Sequence, residues 1–333
     1  MGVALRDIII EYKKPIAWEG LAGIAAVDAH NALYQFLSII RQPDGTPLMD
    51  SHGRITSHLS GILFRTLNFL EMGIRSVYVF DGEPPHFKQG TIETRRGQRI
   101  AAKERWQEAL EKGEIGEAYK HARSSARVDA AVIDSSWQLL HLLGVPSVQA
   151  PSEGEAQAAF MAQIGDVQYS VSQDYDSLLF GSPVLARNLT VSGKRKVRGR
   201  TISINPERII LKEVLNGLSI TREQLVEIAL LVGTDFNEGV HGIGAKTALK
   251  IVKRREFGAT LEKELPDFDP VPIMNFFLQP PVNTDYKLSW TPPDREGIRR
   301  MLCDQYEFSP ERIDSALDKL ATTSGQKTLD RWF

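Results

Sequence analysis

Seven carboxylates stand out in this chain of 333 residues, because each follows or opens a segment that reads as a strand or a helix. Asp28 closes the apolar run Ile24–Val27, and Asp81 closes Val77–Phe80 within the triplet Phe80-Asp81-Gly82. Asp174 and Asp176 follow Tyr169–Ser172. Glu153 and Glu155 open the segment after Pro151, and Asp235 follows the amphipathic stretch Glu223–Val232. Gathered in one place, like charges raise one another's pKa, so such a set is costly unless a cation neutralises it. Oxygen donors without Cys or His select Mg²⁺ or Mn²⁺ over zinc. Two such ions about 3.5–4 Å apart clamp the attacking and leaving oxygens of a phosphodiester displacement.

Every acid also has a plainer use. Asp28 suits a helix cap. Ser152 with Glu155 matches a capping box, in which the glutamate bonds backbone amides. Glu153 and Glu155 lie about 200° apart on an ideal helix, so only a distorted first turn brings both to one site. Asp174 and Asp176 suit turns. Joint placement favours the metal reading: three separate strand-like runs deliver acids to the carboxyl edge of a sheet, where α/β folds keep their ligands.

The elements that position these acids can be read from periodicity. The three short apolar or β-branched runs have the pattern of buried parallel strands. Leu59, Ile62, Leu63, Leu67 and Leu70 fall at helical spacing within Leu59–Met72. Alternating strands and helices predict an α/β fold with a mostly parallel central sheet flanked by helices. A hydrophobic share of 42% with 25% charged residues is that of a globular chain.

Charge is unevenly spread. Lys plus Arg total 40 against 42 Asp plus Glu, a net charge of −2 that by itself weighs against a polyanion binder. Yet residues 86–127 carry ten basic side chains and six glutamates on a thinly apolar helical pattern, which predicts helices standing away from the core. Arg187–Arg200 holds six basic residues and no acid, with Gly193 and Gly199 suggesting a hairpin-like loop. His241–Arg255 holds five basic residues and no acid. Seven of the 17 prolines lie between Pro266 and Pro293, which predicts a surface excursion rather than a helix. One cysteine, Cys303, excludes an intramolecular disulfide framework and a cysteine zinc site, and suits a reducing compartment. The first residues do not read as a signal peptide. No uncharged apolar stretch nears the roughly 18 residues of a spanning helix. The expectation is a soluble cytoplasmic protein without membrane association.

Five strings carry a family resemblance: Val27-Asp28-Ala29, Tyr78-Val79-Phe80-Asp81-Gly82-Glu83-Pro84-Pro85, Ala150-Pro151-Ser152-Glu153-Gly154-Glu155-Ala156, Ser172-Gln173-Asp174-Tyr175-Asp176-Ser177 and Gly233-Thr234-Asp235. Across nearly its whole length the chain resembles the archaeal-type members of the XPG/flap endonuclease family of structure-specific 5′ nucleases. The resemblance implies a nuclease region over 1–98 and a helical arch or linker over 99–130. It implies an internal nuclease region with a helix–hairpin–helix element over 131–258, a C-terminal region over 259–321 and a sliding-clamp-binding tail over 322–333.

For the site, the resemblance implies two Mg²⁺ ions. Asp28, Asp81, Glu153 and Glu155 surround the first, with Asp174, Asp176 and Asp235 around the second, some through water. Lys88 and Arg95 match the basic pair that steers the scissile phosphate; without the resemblance they read as a solvated helix face. Tyr34 matches the aromatic that stacks on a base, its plainer reading being a helix-core residue. Arg41 and Arg65 match substrate-binding arginines, or serve as surface ion-pair residues. Glu153, Gly233 and Asp235 join the DNA-facing set.

The run Gly239-Val240-His241-Gly242-Ile243-Gly244-Ala245-Lys246-Thr247-Ala248 resembles the helix–hairpin–helix element. Gly242 and Gly244 let a turn approach a phosphate, helix amides bind it, and Lys246 and Lys250 add charge. The family holds K⁺ there. Gln326, Leu329, Trp332 and Phe333 match the motif that binds the sliding clamp PCNA; docking of the terminus on its own domain is the alternative. The implied activity is 5′ flap endonuclease with 5′-3′ exonuclease action on branched DNA, in Okazaki fragment maturation and repair, by a monomer. Other classes compatible with parts of the chain are a catalytically silent clamp-bound adaptor and a two-metal small-molecule phosphatase.

Overall fold

Small and β-branched side chains pack the centre of the sheet from both sides. In the computed structural model, which describes residues 2–190, 194–197 and 200–326, the strands are β1 (Lys14–Pro15), β2 (Gly23–Asp28), β3 (Ile74–Phe80), β4 (Ser147–Gln149), β5 (Tyr169–Val171), β6 (Val184–Arg187), β7 (Lys194–Val197), β8 (Arg200–Ser203) and β9 (Glu207–Ile210). Seven of them form one sheet in the order β1-β9-β6-β5-β2-β3-β4. The pairs β2–β3, β2–β5, β3–β4 and β5–β6 are parallel, while β9 runs antiparallel to β6 and to β1. This is the mostly parallel α/β sheet that the alternating elements predict.

Alternation along the strands explains the two covered faces. Ala25, Val27, Tyr78 and Phe80 pack with Leu33, Phe36, Leu59 and Ile62 of the helices Ala29–Ile39 and Ser57–Glu71. Ala26, Val77 and Val79 face the other way, onto Ala158 and Met161 of the helix Gly154–Gln163. A second body of core joins the helix Arg222–Val232 to the helix Ala245–Lys253 through Leu225, Ile228, Ala248 and Val252. Parallel strands therefore point their carboxyl ends the same way, and the helices fix the edge where the acids emerge.

The basic segment forms two helices, Gln89–Glu111 and Ile115–Ser124. Their few buried side chains are small, Ala102, Ala109, Ala118 and Ala122. The pair is anchored to the body by polar bonds, Trp106 Nε1 to the Asp44 carbonyl at 3.1 Å and the Tyr119 hydroxyl to the Ile39 carbonyl at 3.3 Å. The second basic run contains β7 and ends on the first residue of β8, its antiparallel partner, in agreement with the expected hairpin-like loop.

The proline-rich segment differs from expectation. Val271–Leu278 is a helix, and its Phe277 is fully buried. Proline is tolerated there because Pro270 is the cap and Pro272 sits in the first turn, where a missing N–H leaves no bond unmade. The following stretch crosses the sheet edge as a strap: Trp290 Nε1 donates to the Ser76 carbonyl at 3.0 Å and Tyr286 to Asp166 at 2.7 Å. Among the described residues no helix is long and apolar enough to cross a membrane.

Candidate active site

Asp28 is the last residue of β2 and the cap of the helix Ala29–Ile39; its side chain accepts from the Asn31 N–H at 2.9 Å. The capping use is thus real, but the other carboxylate oxygen lies 3.3 Å from Ser172 Oγ, inside the acidic cluster. Asp81 follows β3 and accepts from the Gly154 N–H at 2.7 Å. Gly82 lets the two acid-bearing segments cross, since a Cβ there would stand 2.2 Å from the Ala150 carbonyl oxygen. At that crossing Gly82 N–H donates to the Ser152 carbonyl at 2.6 Å.

Glu153 and Glu155 escape the geometric conflict of an ideal helix. Glu153 is the cap, with extended backbone at φ −75° and ψ 127°, and only Glu155 lies in the first turn. The capping box, the plainer alternative for Glu155, does not form. Ser152 Oγ is buried without a hydrogen-bond partner, whereas Glu155 accepts from Ser172 Oγ at 2.6 Å and Ser177 Oγ at 3.1 Å. The glutamate is drawn inward because two hydroxyls there offer what exposed backbone amides would offer at the helix start.

Asp174 and Asp176 are not ordinary turn acids either. Asp174 accepts from the Gly2 N–H at 2.8 Å and from Asn31 Nδ2 at 2.9 Å. Asp176 accepts from the Val3 N–H at 2.8 Å and is only 5% exposed. Asp235 follows the helix Arg222–Val232 and Gly233, whose φ of +100° and clash-free approach to the Glu238 carbonyl require glycine.

Electrostatics tie all seven together. Burial first, then Asp81 and Asp174, pushes the Asp28 carboxyl well above the usual range. Burial and then Asp176, Asp28 and Asp174 do the same to Glu155. Asp176 is pushed up to about 7 by burial and then by Asp235 and Asp174. Burial raises Glu153 as well, with Asp81 and Asp235 adding to it and Lys88 opposing. Burial alone would lower Lys88, but Glu153 and Asp81 hold its ammonium above the ordinary range.

Two cations already lean on this edge. Lys88, at the end of a short 3₁₀ turn after Pro85, donates to both Glu153 oxygens at 2.7 and 2.6 Å. Its side chain is 13% exposed, which rules out the solvated helix face. Arg95 meets Asp235 at 2.5 Å. Tyr34 is 43% exposed, so it is not a helix-core residue. Arg41 is engaged locally, donating to the Leu37 and Gly45 carbonyls at 2.6 and 2.7 Å. Arg65 is half-buried in the helix Ser57–Glu71 beside Tyr78. Gly242 turns the chain at φ +79°, Gly244 caps the helix Ala245–Lys253, and Lys246 and Lys250 are exposed on it. Of the tail residues, Gln326 ends the last helix, and Leu329, Trp332 and Phe333 lie outside the described residues.

The donors that hold the acids, Gly2, Val3, Asn31, Ser172 and Ser177, were not foreseen from the sequence, nor was His30 as an acceptor beside Asp81. His30 Nδ1 accepts from the Asp81 N–H at 3.1 Å and so helps fix the backbone at that acid. The serines at least flank the acids in sequence; the amides of Gly2 and Val3 leave no local signal.

The donor set, all carboxylate oxygen, fits a hard divalent cation. Among the described residues no three of these groups close into a ready-made ion cage. Hydroxyl, amide and cationic donors hold them instead.

The chain that carries this acid-lined edge, on a mostly parallel sheet beside a basic helical pair, is matched by two XPG family models. Residues 1–102 match the XPG N-terminal domain and residues 144–235 the XPG I-region. The flap endonuclease 1 of Methanoregula boonei is 63% identical over all of both chains, and that of Pyrococcus furiosus is 55% identical over all of this chain and 99% of its own. The solved flap endonuclease-1 from Methanococcus jannaschii superposes with a TM-score of 0.79 at 40% identity, covering 98% of this chain and 100% of that one. The catalytic core of Rad2 in complex with a DNA substrate superposes at 0.70 with 25% identity, covering 96% and 100%. The chain belongs to the flap endonuclease 1 family, whose enzymes are nucleases that hydrolyse phosphodiester bonds.

Proposed function

We propose that the seven carboxylates hold two Mg²⁺ ions, Asp28, Asp81, Glu153 and Glu155 around one and Asp174, Asp176 and Asp235 around the other. The observation that carries this is the crowding of buried acids: Asp28, Glu155 and Asp176 are all raised, by burial first and by their neighbours second. Two such ions, when bound, activate the attacking water and neutralise the leaving oxygen. Lys88 and Arg95 reach the same edge and exchange Glu153 and Asp235 for the scissile phosphate, a preorganised cationic clamp. Tyr34 offers an exposed ring for a base beside the cut. Arg41 and Arg65 support the substrate strands. Glu153, Gly233 and Asp235 face the DNA at the metal edge.

Behind the cut, Gly242 and Gly244 admit a phosphate to the start of the helix Ala245–Lys253, with Lys246 and Lys250 adding sequence-independent charge and K⁺ held at the turn. Gln326, Leu329, Trp332 and Phe333 form the anchor for the sliding clamp PCNA. The working unit is a cytoplasmic monomer that cuts 5′ flaps on branched DNA.

The test offers end-labelled 5′-flap, linear duplex and single-stranded DNA to the full chain with Mg²⁺ or with EDTA. Cleavage at the base of the flap, dependent on Mg²⁺ and faster than on either unbranched DNA, is the expected result. Equal cleavage of all three substrates, or cleavage that survives EDTA, contradicts it.

A further inference from the structure

Arg187 begins a basic run of six cationic residues with no acid, for which outward contact with phosphate is the simple expectation. The side chain does the opposite. It ends β6 and is 15% exposed, turned inward toward the acid-bearing loop after β5. Its Nε and one terminal nitrogen donate to the Gln173 carbonyl at 3.1 and 2.7 Å. The other terminal nitrogen donates to the Tyr175 hydroxyl at 2.8 Å, and the guanidinium carbon lies 4.4 Å from the centre of the Tyr175 ring. Gln173 and Tyr175 bracket Asp174, and Tyr175 precedes Asp176. One planar fork therefore holds the Gln173 backbone on one side of Asp174 and the Tyr175 side chain between Asp174 and Asp176.

The back of this fork is braced. Glu207 on β9 lies 3.8 Å from Arg187 and 3.5 Å from Lys13, and Lys13 stands 5.5 Å from the same Tyr175 ring. A second path from the same strand end reaches Asp174 by its side chain. Asn188 takes the left-handed conformation at φ +65°, which turns the chain within three residues of Arg187. Thr190 then donates to Gln35 Oε1 at 3.0 Å, Gln35 Nε2 to Asn31 Oδ1 at 2.8 Å, and Asn31 Nδ2 to Asp174 Oδ2 at 2.9 Å. Asn31 also receives the Gln173 N–H at 3.3 Å. Backbone and side chain of the Asp174 segment are thus held from one strand end by two independent routes.

We propose that Arg187 is a positioning residue for the second half of the carboxylate site, setting where Asp174 and Asp176 stand when they bind a divalent ion. The inference rests on the reading of those two acids as ion ligands. Outer groups that orient ligands in this way change metal affinity or activity by about 10–100-fold when removed.

The experiment uses the full chain carrying Arg187→Ala or Arg187→Lys and measures three things: Mn²⁺ affinity without DNA by calorimetry, 5′-flap affinity in EDTA, and melting of the metal-free protein. Both variants are expected to bind Mn²⁺ at least about tenfold more weakly. Lysine does not rescue, because one ammonium cannot reproduce the fork. Flap affinity in EDTA stays within about twofold of the parent, as it must for a side chain that makes no phosphate contact. Parental Mn²⁺ affinity in either variant overturns the proposal. So does a loss of flap affinity in Arg187→Ala that Arg187→Lys restores, the signature of a phosphate contact. If the alanine variant does not fold, the lysine variant carries the same test. An unmutated chain that binds no Mn²⁺ refutes instead the ligand reading beneath the proposal.

Discussion

Asp176→Asn is expected to lower flap cleavage by roughly 10²–10³-fold or more, the scale on which a single preorganised electrostatic group counts at a transition state. Flap affinity in EDTA should stay within about twofold, since a side chain this buried makes no phosphate contact. The substitution is nearly isosteric. Its remaining oxygen still accepts the Val3 N–H that Asp176 now accepts at 2.8 Å. It removes one negative charge from a buried position that Asp235 and Asp174 already disfavour. The metal-free variant should therefore melt no lower than the parent, and higher where the parent's carboxylate is ionised. Two results oppose this account: retained cleavage, which frees Asp176 of any role in the chemistry, or lost folding, which makes it a structural group.

Proton competition gives the second large effect. Asp176 is raised from an ordinary 3.8 to about 7, and Asp28 and Glu155 are raised well above theirs, burial being the first cause in each. A raised carboxylate binds its proton more tightly in the folded protein than in the unfolded one. The stability this contributes is present below the unfolded value and is lost as pH rises toward the folded value. The metal-free enzyme should therefore melt at progressively lower temperature between about pH 4 and pH 7. A divalent ion reverses the preference, because it binds the ionised form and expels the protons. Below about pH 7 the Mg²⁺ concentration for half-maximal cleavage should climb about tenfold per pH unit for each proton displaced. Titrating Mg²⁺ at pH 6, 7 and 8 at constant ionic strength measures it. A metal requirement that is flat across this range contradicts the assignment of raised carboxylates to the metal edge.

Much of this edge can be read from the primary structure because one rule places it. Parallel strands deliver whatever follows them to one edge, so Asp28, Asp81, Asp174 and Asp176 are legible as a group from three apolar runs. What could not be read is how each acid is held. Glu153 and Glu155 conflict on an ideal helix, and the conflict disappears only because Glu153 lies outside it, in extended backbone set by the Ala150–Ser152 crossing. The donors to Asp174 and Asp176 come from Gly2 and Val3, more than 170 residues away in sequence, and no local pattern announces them. Lys88 turns inward because Pro85 starts a 3₁₀ turn that aims it at Glu153, although its neighbourhood reads as a solvated basic helix. The helix Val271–Leu278 was hidden by its own prolines, whose positions at the cap and first turn are the places a helix tolerates them. Composition misled in the same way: a net charge of −2 is the sum of basic segments and an acidic sheet edge, not an even surface.

On the function proposed above, the carboxylate edge is a two-ion phosphodiesterase centre. Anomalous diffraction from crystals of the full chain grown with Mn²⁺ tests it most directly. Two peaks are predicted, about 3.5–4 Å apart, one among Asp28, Asp81, Glu153 and Glu155 and the other beside Asp174, Asp176 and Asp235. No peak at this edge at saturating Mn²⁺, or a single peak there, contradicts the claim.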